Sequence, residues 1–203
     1  MIAGDPGSLA VVPRFVEYSG HEMHRFTEPT PAPSSVDIIV VFVEDWEIEC
    51  CGTAPVVGDD ATWTLTFVET NSDRGRALPA GARWNRDSKI ATAGGVEAYW
   101  PNPENSRTVS ARGYFSATCH GGIVPGGISP TTGHVLGLYL EGMEYRRTVG
   151  MWQPVPGTRI LRRTHRSPTW FTRDLDTTGR IETGVLMEVA VPRRWATDSQ
   201  RSG

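Results

Sequence analysis

Cys50, Cys51, Cys119 and His120 are the residue types of a tetrahedral zinc site with three thiolates and one imidazole. Their spacing opposes that chemistry. Structural zinc sites take ligands two to four residues apart so that one knuckle aims both at the metal, whereas neighbours on a strand point to opposite faces. Gly52 would permit the tight turn that a chelating Cys50 and Cys51 pair needs. The competing reading is of free thiols packed as small apolar side chains. A redox couple, or a cysteine nucleophile with His120 as its base, is a third, but the nearest charges are Glu47 and Glu49. Carboxylates disfavour a neighbouring thiolate.

Other chemical motifs are incomplete. His120-Gly121-Gly122 is similar to an oxyanion-hole loop, yet the chain has no G-x-S-x-G nucleophile elbow to go with it. The single lysine, Lys89, is followed by Ile90, so there is no phosphate-binding G-x-x-x-x-G-K-[ST] loop, and no G-x-G-x-x-G opens a helix. Asp174, Asp176, Thr178 and Gly179 match the first half of a calcium loop, but Val185 stands where the bidentate Glu belongs. That run reads as a hairpin turn.

Charge divides the 203 residues unevenly, although the net value is only −3 and gives no general field for polyanions. From Val36 to Asp60 there are seven acids and no Lys or Arg. From Tyr145 to Arg173 there are seven Arg and no acid, with Trp152, Trp170 and Phe171 interleaved. One reading is a face for single-stranded nucleic acid or a phosphate-bearing ligand, built from Arg159, Arg162, Arg163, Arg166 and Trp170. The other is that the two blocks neutralise each other across strands, which suits the negative net charge better.

The elements that must position these residues read as strands. β-Branched and aromatic residues recur in short runs between Gly, Pro, Asn and Asp. Strands are expected at Val36 to Glu44, Thr62 to Val68, Val109 to Cys119, His134 to Arg146, Thr158 to Arg163 and Glu182 to Val191. The first is apolar enough to be buried on both faces, whereas the second alternates Thr with Trp63, Leu65 and Phe67 and has one wet face. Val57-Gly58-Asp59 is a turn, and Trp84 to Ala98 is the best place for a short helix. Trp46 and Trp63 read as core packing, and Trp100 as an exposed loop aromatic hinting at a binding surface.

EPTPAPSS at 28–35 suits a linker, so residues 1–35 read as a loosely attached extension, 36–192 as one domain and 193–203 as a flexible tail. The N-terminus lacks a basic leader and a long apolar run, and three Cys are too few for a disulfide framework. A cytoplasmic protein is expected. The fold class is all-β, a small partly open barrel or sandwich with at most one or two short helices.

Two landmarks carry a resemblance. Trp46 is followed by Cys50-Cys51-Gly52, Pro55, Val57-Gly58-Asp59 and Trp63; His120-Gly121-Gly122 then leads through Pro130 and Thr131 to Gly133 and Val135. In this order they resemble a family of uncharacterised actinobacterial proteins, a domain of unknown function, over roughly Val36 to Val191. The resemblance implies a fold unit rather than a reaction.

The expected role is a non-catalytic binding or accessory module with a protein or nucleic-acid partner and no membrane partner. One alternative is a zinc protein or metal-dependent hydrolase centred on Cys50, Cys51 and His120, with Cys119 as a fourth ligand. The other is a nucleic-acid binder using the Arg and aromatic face. No cofactor is expected unless that zinc site exists.

Overall fold

The computed structural model describes residues 36–50, 53–70, 74–78, 82–93, 95–101, 111–119, 124, 127–175 and 178–192. The expected extension (1–35) and tail (193–203), together with Cys51, His120 and Asp176, lie outside them.

The elements run β1 (Val36–Glu44), α1 (Asp45–Cys50), β2 (Asp60–Glu69), β3 (Arg76–Ala77), β4 (Arg83–Asn85), β5 (Ile90–Ala93), β6 (Val96–Tyr99), β7 (Arg112–Thr118), β8 (Thr131–Thr148), β9 (Met151–Pro154), β10 (Ile160–Arg163), β11 (Arg173–Asp174) and β12 (Arg180–Pro192). Five of them close a barrel. The order β8-β12-β1-β7-β2 returns to β8 where Asp60 to Trp63 pair with His134 to Thr131. Closure leaves none of the five with a free edge along the paired stretch, the general remedy for exposed strand edges. All these pairings are antiparallel except β1 with β7, where Val41 stands beside Phe115.

Alternation along the strands fills the barrel. Ile39, Val41 and Val43 of β1, Leu65 and Phe67 of β2, Phe115 and Ala117 of β7, and Val185, Met187, Val189 and Val191 of β12 form one buried cluster. Thr62, Thr64 and Thr66 face away from it, as the Thr alternation predicts. β1 is indeed buried on both faces, because Phe42 joins a second cluster with Tyr139, Leu161 and Leu186 on the outside of the barrel. Gly184 lets β12 come this close to β1: its φ is +146°, and a Cβ there would stand 2.2 Å from the Val43 carbonyl oxygen.

Three sequence expectations are corrected. Trp84 to Ala98 is not helical but forms β4, β5 and β6, which extend the sheet from β2. Asn85 Oδ1 accepts the amides of Asp87 and Ser88 and folds the chain back, after which Ala91, Ala93, Val96 and Ala98 alternate into the core. Trp46 is not core: it lies on α1, 41% exposed, its indole N–H bonded to the Glu44 carboxylate. Trp100 is the reverse, only 4% exposed and packed edge-on against Phe67 at 5.0 Å. Among the described residues no helix is long and apolar enough to cross a membrane.

Candidate functional site

The Asp45–Cys50 helix docks on the end of β7 through one side chain. Glu47, only 2% exposed, accepts the Thr118 hydroxyl at 2.7 Å on one oxygen, and the Cys119 amide at 2.9 Å and thiol at 2.8 Å on the other. The helix and the end of β7 therefore meet at Glu47, and Cys50 lies one helical turn beyond it. The sulfur of Cys119 is thus engaged as a hydrogen-bond donor to a carboxylate. Among the described residues no three His, Cys, Asp or Glu side chains are grouped to hold a metal ion. Cys51 and His120 are outside the described residues.

The Arg-rich stretch is dispersed by its pairings. Arg159, its side chain 7% exposed, donates through Nε to Glu141 at 2.6 Å. Arg162 reaches Glu182 at 3.3 Å. Arg163 lies within electrostatic reach of Glu188. Arg166 and Trp170 are exposed, the latter at 74%. The acidic block and the Arg block meet at Arg173, whose Nη2 lies 2.6 Å from Asp45 and 2.8 Å from Glu49 on α1. The Phe171 amide also donates to Glu49 at 2.9 Å. That bond, aided by Arg173, holds the Glu49 carboxyl below its ordinary value; Asp45 and Glu49 in turn raise Arg173. Burial pushes the Glu188 carboxyl up, partly offset by the Tyr139 hydroxyl and by Arg163.

The most exposed apolar side chain among the described residues, Val149, sits elsewhere. Beyond Glu144, the last part of β8 pairs with β9 alone in a two-stranded ribbon, Tyr145 opposite Pro154 and Thr148 opposite Met151. Its apex is Val149-Gly150, with φ values of +49° and +82°, the left-handed pair of a two-residue hairpin turn. Asn, Asp and Gly suit that turn, whereas a β-branched residue is strained there. Val149 is nonetheless 95% exposed, Met151 64% and Trp152 38%, and Arg146 and Arg147 stand just behind them, also exposed. Sequence reasoning missed this ribbon as a unit. The usable signal was the lone Gly150 between two polar and aromatic halves.

An open cleft at the β4–β5 turn is lined by the exposed turn residues Asp87 and Lys89 and by the half-buried Tyr99 and Ile128.

Fold and surface together define a small all-β barrel from which an exposed two-stranded ribbon projects. The chain belongs to the family of unknown function DUF6578, which matches residues 37–191. Comparison with curated proteins and with solved structures gave no match.

Proposed function

We propose that this protein is a non-catalytic binding module whose recognition element is the ribbon from Tyr145 to Pro154. The observation that carries the reading is Val149, a strained and almost fully exposed β-branched residue at the apex. Neither the stability nor the solubility of the isolated chain is served by it, and outliers of this kind gather at functional positions. Met151, Trp152, Arg146 and Arg147 around it are the residue types enriched at protein interfaces. The partner is a protein with an apolar depression edged by carboxylates. The Glu47 contact that holds Cys119 as a donor supports a role without nucleophilic chemistry.

The test places a photo-crosslinking amino acid at Met151, purifies the captured protein, and titrates it against wild type, Val149→Asn and Trp152→Ala. Weakening of about tenfold or more in both variants, with thermal stability kept, supports the reading. Equal binding by all three overturns it, as does capture of nucleic acid alone.

A further inference from the structure

A different part of the molecule carries a second site. On the outside of the barrel, Glu141 of β8 is completely buried. It accepts Arg159 Nε at 2.6 Å and the Thr183 hydroxyl at 2.9 Å, so Arg159, just before β10, already balances its charge and Thr183 of β12 supplies a second hydrogen bond. Arg74, from the segment after β2, then adds a further guanidinium, with Nε 3.2 Å from one Glu141 oxygen and Nη2 bonded to the other. The same guanidinium lies over the Phe42 ring at 4.3 Å and faces Tyr114 at 5.8 Å, and those two rings meet edge-on at 87°. A fork-shaped carboxylate contact beneath an aromatic surface is how a planar guanidinium is recognised, and an ammonium cannot make both contacts equally well. Arg74 reaches in from the surface with its side chain 20% exposed, so the site is reached from solvent.

We propose that Phe42, Tyr114 and Glu141 form a receptor for an arginine side chain, filled in cis by Arg74 and available to an arginine of a protein partner when Arg74 withdraws. The barrel supplies the aromatic and carboxylate walls, and Arg74 behaves as a tethered ligand rather than as part of the wall. Its occupancy in the free chain sets a threshold that a competing arginine must exceed, since a ligand gains only its differential affinity over the resident group.

The experiment compares Arg74→Ala with wild type, using N-acetyl-arginine amide as the probe and N-acetyl-lysine amide as the control at equal ionic strength. Thermal midpoint and chemical shifts are read in both. The variant is expected to melt below wild type and to recover saturably with the arginine probe at concentrations on the order of millimolar, because a ligand that binds only the folded state stabilises it by mass action. The lysine control should be weaker by about fivefold or more, and wild type, already filled, should respond less than the variant. Recovery should vanish when Phe42→Leu is added. If Arg74→Ala does not fold, Arg74→Gln takes its place with the same expectations. Equal response to the two probes, equal response of wild type and variant, or no response overturns the proposal. The outcome is independent of the ribbon, which neither variant touches.

Discussion

The thiol of Cys119 lies 2.8 Å from the Glu47 carboxylate and donates to it, and this contact fastens the end of β7 to the only helix among the described residues. A buried carboxylate that accepts from three donors is costly to replace, because removing an acceptor oxygen leaves the donors that faced it unmatched. Glu47→Gln replaces one acceptor oxygen with an N–H donor and is expected to cost about 1–3 kcal/mol. Cys119→Ser retains both donors and should stay within about 1 kcal/mol of wild type. Denaturant titration of both variants checks the pair; equal losses would show that the carboxylate is not the fastening group.

Glu49 gives a pH-dependent contribution. Its carboxyl is held below the ordinary value by the Phe171 amide and by Arg173, so the stabilisation is complete above the ordinary carboxylate range and is lost as pH falls through that range toward the folded value. Glu49→Gln should lower stability at pH 7 by about 1 kcal/mol, a modest figure because Arg173 is half exposed and solvent screens the pair. Measured across pH, the gap between wild type and variant should close as the solution becomes acidic. A gap that stays constant to low pH would contradict the assignment.

Glu188 should behave in the opposite way. Burial raises its carboxyl, so the folded state binds the proton more tightly than the unfolded state, and stability falls as pH rises through the raised value. Glu188→Gln is therefore expected to raise stability at pH 7 to 8, by less than about 1 kcal/mol after solvent screening. The advantage should disappear below the ordinary carboxylate range. Thermal melts at the two extremes of pH decide it, and a destabilised variant at neutral pH would refute the sign.

Val149 trades stability for exposure. Val149→Asn, which relaxes the left-handed backbone at φ +49°, should stabilise the chain by about 1 kcal/mol. Calorimetry reads this directly, without knowledge of the partner. A loss of stability would mean that the valine packs in the free protein and is not held ready for another surface.

The strands were legible in the amino-acid order because a two-residue period with one buried face is a local property. β2 alternates Thr with Trp63, Leu65 and Phe67, and that alternation alone places the two sets on opposite faces. The all-β class followed, as did the turn at Gly58, whose φ is +95°. The Asp45–Cys50 helix was not legible, being six residues long and too short for a helical period to show. The same limit hid β4 to β6, strands of three or four residues whose small alanines resemble a helical run.

The sequence by itself determined the strand periodicity, the turn chemistry and the opposition of an acidic and an arginine-rich block. Only the tertiary structure decided which of those charges meet. Arg173 found Asp45 and Glu49, Arg159 was drawn into Glu141, and Trp46 and Trp100 exchanged their expected places inside and outside. Burial and pairing of a single side chain depend on residues brought near it by barrel closure, here from up to 128 positions away. Local order cannot encode that proximity, because it arises only when β8 pairs with β2 and the ring shuts.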